Sequence, residues 1–253
     1  MTDEAPREAH VSTLRLMASP RFWPLFWAMF LGAFNDNLIK NAAILLITYS
    51  GMKVLGGPAE NASTVGTAML ILPAILLAAM AGQLSDRYSK SNLIRPIKLA
   101  EIGLMVVAGI GFIFQLPDLL MLVVLGLGIQ STFLGPLKYS ILPQLLTDSE
   151  LVAGNALVET GTNLAILTGS VLAGFLIRDK MHGLQTVSGC LLGVSVLGYW
   201  CARRLVPTAA EAPDLKVEPN PVISTWHICQ QVYRTPTIFR AILGISWFWV
   251  YGV

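Results

Sequence analysis

The chain has 253 residues, of which 54 % are hydrophobic and only 13 % are charged, and its formal net charge is +2. A typical soluble domain carries about a quarter charged residues, so this chain has too few charges to cover a water-exposed surface. The composition therefore excludes an ordinary soluble fold, and the long apolar blocks are typical of an all-α integral membrane protein. No nucleic-acid partner is expected.

Six apolar segments are long enough to cross a bilayer as helices, at about 20 residues each. They fall at 22–49, 62–83, 93–115, 118–138, 154–177 and 184–205, and a seventh begins near Ile238. We predict a tail at 1–21, a six-helix transmembrane bundle at 22–205, a proline-rich linker at 206–237 and the start of a seventh helix at 238–253. This is the layout of a transporter made of two six-helix bundles, and we expect the chain to be cut within a longer protein.

The basic residues are distributed unequally between the two predicted sides of the membrane. With the N-terminus inside, the segments on the inner side carry twelve Lys or Arg residues and those on the outer side carry three. Because loops on the cytoplasmic side are enriched in Lys and Arg, this bias predicts a cytoplasmic N-terminus and a cytoplasmic linker at 206–237.

The first apolar segment is interrupted by a polar cluster. Asp36, Asn37, Lys40 and Asn41 fall on one face of the helix at 100° per residue, whereas Asn35 points elsewhere and is expected to hydrogen-bond to another helix. Charges at membrane depth are costly and cannot face lipid. The four residues therefore predict a cavity wall. Lys40 could bind a phosphodiester and Asp36 an ammonium group, Asp36 could bind a coupling cation, or Asp36 and Lys40 could form a purely structural salt bridge.

Three further polar residues lie on the fourth and fifth predicted helices. Lys138 follows a glycine- and proline-rich stretch and is either a phosphate-binding or gating cation or a lysine that only sets topology. Glu159 and Asn163 share one face of the fifth helix, and Lys40, Lys138 or a coupling proton could partner Glu159. A structural interhelical hydrogen bond is the alternative.

Two other patterns predict structure rather than binding. Glu101 is expected to pair with Lys98 on the third helix. Small residues recur every four positions along the fifth helix, which predicts a face for close helix packing. They are Gly161, Ala165, Gly169 and Ala173.

The loop after the second helix reads Gly82-Gln-Leu-Ser-Asp-Arg-Tyr-Ser-Lys90. It resembles the signature between helices two and three of the major facilitator superfamily. Gly82 would allow close backbone approach at the helix end, while Asp86 and Arg87, with Lys90 nearby, would pair across the bundle halves and latch one state of an alternating-access cycle. A solvated loop that only sets topology is the alternative. The resemblance implies that the chain is the N-terminal six-helix bundle of a twelve-helix transporter.

Three further motifs, on the first, fourth and fifth helices, narrow the resemblance. Gly32-Ala-Phe-Asn-Asp-Asn37, Gly135-Pro-Leu-Lys-Tyr-Ser-Ile-Leu-Pro143 and Leu151-Val-Ala-Gly-Asn-Ala-Leu-Val-Glu159 are similar to the lysophospholipid transporter family within that superfamily. The resemblance implies a flippase of the bacterial inner membrane that moves lysophospholipid from the outer to the inner leaflet. Some relatives are fused to an acyltransferase domain and an acyl-carrier-protein ligase domain, so a fused or associated acyltransferase is a further expectation.

Two other functions fit the same residues. The chain could belong to a proton-coupled transporter of a small polar solute or drug, using Asp36 or Glu159, or it could be a silent membrane anchor for fused acyltransferase domains. The sequence contains no phosphate-cradling glycine loop, no nucleophile elbow and no metal-ligand pair. We therefore expect no enzymatic activity in this chain, no cofactor and no metal, with lysophospholipid and membrane lipids as its partners.

Overall fold

A computed structural model describes residues 13–179, 182–218 and 220–252, so most of the predicted tail, at 1–12, lies outside the described residues. The described residues form ten α-helices and a short 3₁₀ turn (Ala59–Asn61). The helices are α1 (Thr13–Ala18), α2 (Trp23–Ser50), α3 (Ala62–Arg87), α4 (Lys90–Ile113), α5 (Pro117–Ser140), α6 (Leu142–Leu145), α7 (Asp148–Arg178), α8 (Gly183–Arg203), α9 (Pro221–Arg234) and α10 (Pro236–Gly252).

The six long helices α2, α3, α4, α5, α7 and α8 cover the six predicted apolar segments. The largest difference is at α7, which begins six residues before the predicted start at 154. Thr147 and Glu150 form a capping box there, in which each side chain binds the other residue's backbone N–H. This arrangement satisfies two of the N–H groups that a helix start leaves open, so the helix begins in the polar sequence ahead of the apolar block.

Five of the described helices are long and apolar enough to cross a membrane, judged by length and composition: α3 with its preceding turn, α4, α5, α7 and α8. Helix α2 is 28 residues long but is not among the five. Its polar run from Asn35 to Asn41 dilutes the apolar residues on either side. The described part of the chain is therefore an all-α protein with several apolar helices of membrane-spanning length.

Helix α2 packs against α7 and α8, while α3 packs against α5 and α4 against α8 and α5. The predicted small-residue face of α7 is confirmed, since Gly161, Ala165, Gly169 and Ala173 are all buried. A Cβ atom at Gly169 would lie 2.5 Å from the backbone oxygen of Phe34. Glycine thus lets the backbones of α2 and α7 approach closely, which fixes the position of the polar run on α2.

The segment predicted as a linker contains a helix that the sequence reading missed. Helix α9 begins after Asn220, whose side chain accepts hydrogen bonds from the N–H groups of Val222 and Ile223, and it packs beside α3. Asn followed by Pro221 at the first helical position is a helix-start signal. The linker is therefore partly ordered against the bundle.

Residues 208–218 contact the helix ends around the loop between α3 and α4. Thr208 and Ser91 exchange hydrogen bonds between their backbone N–H groups and hydroxyls, at 3.1 and 3.2 Å. Glu218 N donates to Gln83 Oε1 over 2.8 Å. We call residues 208–218 the strap, because they bind this loop through both backbone and side chains.

Candidate functional site

A partly open cavity of about 230 Å³ lies between α2, α4, α5 and α7. Its walls combine one carboxylate, two lysines, hydroxyl groups and small apolar side chains. The lining residues are Met29, Gly32, Ala33, Asp36, Lys98, Ser131, Leu134, Gly135, Lys138, Tyr139 and Thr162. Of the predicted binding residues, the structure brings Asp36 and Lys138 to this cavity.

Asp36 lines the cavity, and one oxygen of its carboxylate is unsatisfied. Its Oδ1 atom is buried and has no hydrogen-bond partner among the described residues. Within the same part of the chain no nitrogen of Lys40 lies within 4.0 Å of it, so the structural Asp36–Lys40 salt bridge is not formed. A buried carboxylate oxygen without a donor is costly, so the described residues leave Asp36 with an unmet demand for a donor.

The other three polar residues of the first predicted face do not line the cavity. Asn37 donates to the Ala33 carbonyl over 2.9 Å, and Asn41 donates to the Asn37 carbonyl over 2.8 Å. Asn41 also reaches Ser170 on α7 over 2.9 Å. These amides satisfy carbonyls of their own helix and hold α2 against α7.

A buried ion pair lies behind the cavity. Lys98 Nζ and Glu101 Oε2 are 2.7 Å apart, and both side chains are at most 1 % exposed. Gln130 donates to the same carboxylate over 2.8 Å and Asn35 over 3.4 Å. Asn35 also donates to the Leu191 carbonyl over 3.0 Å. The predicted Lys98–Glu101 pair and the interhelical bond of Asn35 are therefore confirmed.

The position of Lys98 in the cavity wall was not predicted. A Cβ atom at Gly32 would collide with Lys98 Nζ, so glycine provides the space for the ammonium group. The sequence did contain a signal, because Lys98 and Glu101 are two charges three residues apart within an apolar segment. Charges at membrane depth cannot face lipid, and this holds for both residues as it does for Asp36.

A second ion pair lies beside the cavity, between α5 and α7. Lys138 Nζ lies 3.3 Å from Glu159 Oε2 and donates to Thr162 Oγ1 over 2.8 Å. The hydroxyl of Tyr139 donates to the same Glu159 oxygen over 2.7 Å, and Asn163 donates to the Glu159 backbone carbonyl over 3.0 Å. Among the partners considered for Glu159, the structure brings Lys138 to it. Tyr139 and Thr162 were missed because neither carries a charge.

The four residues predicted to gate have different surroundings. In the described structure no atom lies within 4 Å of a Cβ built at Gly82, so the predicted close approach there does not occur within this chain. Asp86 is exposed, and its backbone carbonyl accepts from the N–H groups of Glu211 and Ala212 at 3.1 and 2.9 Å. Arg87 lies over the Tyr88 ring at 5.3 Å.

Lys90, the fourth of these residues, is fully buried and pairs with Glu211 of the strap over 2.7 Å. The hydrogen bond from Lys90 is the main reason that the pKa of Glu211 lies below its usual range; burial acts in the opposite direction, and the positive charge of Lys90 lowers the pKa further. The loop is therefore held by ionic and backbone contacts to the strap.

Apolar helices of membrane-spanning length that surround a cavity with an unpaired carboxylate and two lysines define a multi-pass membrane protein with an internal polar site. Such a site within a membrane bundle is typical of transporters. A family model described as the Major Facilitator Superfamily matches residues 25–253. The chain belongs to this superfamily, which confirms the resemblance that the loop motif predicted.

Several curated proteins are similar to most of the chain. The lysophospholipid transporter LplT of Klebsiella pneumoniae subsp. pneumoniae is 30 % identical over 229 residues, which cover 89 % of this chain and 53 % of the relative. LplT of Pectobacterium carotovorum subsp. carotovorum is 30 % identical over 232 residues, covering 89 % and 52 %. LplT of Escherichia coli strain SE11 is 28 % identical over 229 residues, covering 89 % and 53 %.

The chain thus spans about half the length of the curated relatives that it matches. No solved structure matches the chain.

Proposed function

We propose that the chain is the N-terminal six-helix bundle of a twelve-helix lysophospholipid transporter, which moves its cargo from the outer to the inner leaflet by alternating access. The observation that carries this proposal is the cavity, whose lining includes the carboxylate residue Asp36, which has no ion-pair partner among the described residues, and two lysines. The similarity to proteins named lysophospholipid transporters supports the cargo class. A missing second bundle accords with the fraction of those relatives that the chain spans.

The charges of the cavity suit a zwitterionic headgroup. The Asp36 carboxylate would accept hydrogen bonds from an ammonium group, and Lys138 would approach a phosphodiester. Charge-assisted bonds of this kind are about twice as strong as neutral ones. Lys138 would exchange its bond to Glu159, which is the longer of its two bonds, for the phosphate.

The size of the cavity restricts which part of the cargo it holds. Pockets for drug-sized ligands measure about 300–1,000 Å³, whereas this cavity measures about 230 Å³. It therefore accommodates the headgroup, while the acyl chain extends between helices or into the bilayer. A lipid with one acyl chain leaves less apolar surface outside the cavity than a lipid with two acyl chains.

The placement in the membrane and the gating belong to the same proposal. We place the protein in the bacterial inner membrane with its N-terminus in the cytoplasm, which puts the strap and the α3–α4 loop on the cytoplasmic side. Glu159 and Asn163 then support Lys138. Gly82, Asp86 and Arg87 form the gate that changes contacts between states, while Lys90 holds the strap beside the gate. A fused or associated acyltransferase would use the delivered lysolipid, and the chain itself acts as a transporter rather than an enzyme.

The variant that tests the proposal is Asp36→Asn. It keeps the shape of the side chain and removes the charge that would bind ammonium. We expect lysophosphatidylethanolamine transport in proteoliposomes to fall about tenfold or more, because a hydrogen bond to a charged group contributes about 1.5–3 kcal/mol. The melting temperature should not fall, since no described group loses a partner. Asp118→Asn is the matched control, because Asp118 is exposed and lies outside the cavity.

The same assay separates the competing functions. If the wild-type protein moves a small polar solute but no lysolipid, its cargo is a small polar solute. If it moves neither, the result supports a silent membrane anchor. If the Asp36→Asn variant transports lysolipid at the wild-type rate, the proposed role of the cavity in binding the headgroup is contradicted.

A further inference from the structure

A second cavity lies at the end of the bundle that is farthest from the strap. Helix α4 begins beside the strap at Lys90 and has 24 residues, so its other end lies about 36 Å away at 1.5 Å per residue. There an open cavity of about 570 Å³ lies among the last turns of α2 and α7, the turn after α4 and the first turn of α8. Pockets of about 300–1,000 Å³ hold small ligands. Its apolar lining residues are Leu46, Ile177 and Leu184.

Arg178 lines this cavity from the last turn of α7 and is exposed. It forms no ion pair within the described residues. The neighbouring Asp179 is engaged in the turn to α8, where its Oδ1 accepts the His182 N–H over 3.3 Å and its carbonyl accepts the Gly183 N–H over 3.0 Å. A guanidinium presents five N–H donors in a planar fork that matches a phosphate. Arg178 therefore offers the cavity a cation for an anionic ligand.

Gln115, another lining residue, has a backbone conformation that favours glycine. Its φ angle is +51°. The Gln115 N–H donates to the Phe112 carbonyl over 3.2 Å and the Leu116 N–H donates to the Gly111 carbonyl over 2.8 Å, which is the Schellman motif at a helix end. Glycine is usual at this position because a Cβ atom is strained there. A residue with an amide side chain thus occupies a strained position beside the cavity, and such positions are common at binding sites.

An exposed apolar stripe on α7 leads to Arg178. At 100° per residue its members and Arg178 lie within about 40° of one line along the helix. Helix α7 is long and apolar enough to cross a membrane. An apolar stripe that ends at a guanidinium is complementary to a lipid whose chain lies along the helix and whose phosphate lies at the membrane surface. The residues of this stripe are between 51 % and 66 % exposed and are Leu164, Leu167, Val171 and Phe175.

We propose that this second cavity binds the phosphate of a single-chain phospholipid in the outer leaflet, at a site separate from the cavity that Asp36 lines. The proposal rests on the function proposed above, which puts the ends of α2 and α7 at that leaflet. Arg178 binds two phosphate oxygens. The hydroxyls of Tyr49 and Ser50 and the amide of Gln115 donate to the phosphate as well, and the acyl chain follows the stripe on α7. Recognition of the phosphate does not depend on the group attached to it.

The test uses the intact natural protein with the substitution Ser50→Cys, in a maltoside detergent that contains no phosphate. A maleimide labels the introduced thiol, and mass spectrometry of its peptide measures the protection that an added lipid gives. Lysophosphatidylethanolamine and lysophosphatidylglycerol should both protect it. Monoacylglycerol, which lacks the phosphate, and glycerophosphoethanolamine, which lacks the chain, should not.

The comparison compounds decide the class of ligand. Equal protection by monoacylglycerol would overturn the role of the phosphate, and equal protection by glycerophosphoethanolamine would show a site for water-soluble phosphates instead of a lipid. Equal protection by a two-chain phosphatidylethanolamine would overturn the preference for a single chain.

Arg178→Gln in the same background tests the cation. The lysolipid concentration that gives half of the protection should rise about tenfold, because a charge-assisted hydrogen bond is lost. Arg203→Gln is the matched control, since Arg203 is also an exposed arginine in the last turn of a helix, α8, and lies outside the cavity. An arginine that only complements the helix dipole predicts no change in protection. That result, or an equal rise in the control, would overturn the site.

Gln115→Gly separates binding from folding. Glycine relieves the strain at a φ of +51°, so the melting temperature should rise. The half-protecting concentration should rise about threefold at the same time, because a neutral hydrogen bond to the phosphate is lost. A higher melting temperature with unchanged protection would show that Gln115 does not bind the ligand.

The site and the proposed function fail independently, because protection needs no transport. If the wild type transports no lysolipid but its protection depends on Arg178, the site stands and the proposed function fails. If lysolipid is transported but protection does not respond to Arg178→Gln, the site is overturned. A thiol that stays unlabelled before any lipid is added would show that another part of the natural protein covers the cavity, which also overturns the site.

Discussion

Replacement of Gly169 by alanine should separate α2 from α7 and displace the cavity carboxylate. The new Cβ would lie 2.5 Å from the Phe34 backbone oxygen and 3.3 Å from the Leu38 nitrogen. The first distance is 0.9 Å less than the 3.4 Å at which ordinary van der Waals contact begins. Because both close atoms belong to the backbone of α2, no side-chain rotation relieves the overlap.

The expected cost follows from that geometry. Extra methyl groups in a well-packed interior destabilise by about 1–3 kcal/mol, and here the two helices must move apart by most of an ångström. Asp36 is two residues after Phe34, so it moves with the helix. We expect a lower melting temperature in detergent together with reduced lysolipid transport, even though Gly169 does not line the cavity.

Gly174→Ala is the matched control on the same helix. No atom of the described structure lies within 4 Å of a Cβ built at Gly174, and alanine is the better helix former by about 1 kcal/mol. The control should therefore melt no lower than the wild type. If both variants melt like the wild type, the close approach of α2 and α7 does not determine stability, and the argument is refuted.

Two further predictions concern the cavity and the strap. Gly32→Ala should impair transport more than stability, because its Cβ would overlap the flexible end of Lys98 rather than backbone. Transport rates and melting curves of the same preparation test this prediction. A parallel loss of transport and of melting temperature would contradict it. The strap should detach from the loop in acid. The pKa of Glu211 is lowered from its usual 4.5, so the stabilisation is complete above about pH 4.5 and is lost as pH falls through the lower folded value. Hydrogen-exchange protection of residues 208–218, corrected for the intrinsic exchange rate at each pH, measures this loss between pH 7 and 3. Glu211→Gln should show the same protection at both ends of that range.

Much of the fold followed from the sequence because apolar blocks of about 20 residues have few alternatives to membrane-spanning helices. The small-residue face of α7 was also predictable, because small residues at every fourth position lie on a single face of a helix and are typical of close helix packing. Helix α9 was missed. Its weakly apolar, proline-flanked sequence resembles a linker, and its helix is favoured by the Asn220 cap and by packing beside α3.

The site was predictable only in part, since periodicity gives the face of one helix but not the neighbours of that face. Asp36 and Lys138 both line one cavity, whereas Asn37 and Asn41 bind carbonyls of α2 itself. Lys98 was assigned to a structural pair. Whether its ammonium also faces the cavity depends on how α4 packs against Gly32, which no single segment of sequence reveals.

The two basic residues at the end of the α3–α4 loop motif, Arg87 and Lys90, differ in their contacts with the strap. Lys90 is buried and paired with Glu211, so its charge is already neutralised within the described residues. Arg87 forms no ion pair within the described residues and stays partly accessible. An electrostatic latch to a second bundle would therefore use Arg87. Lys90 would instead keep the connecting segment in a fixed place while that latch opens and closes.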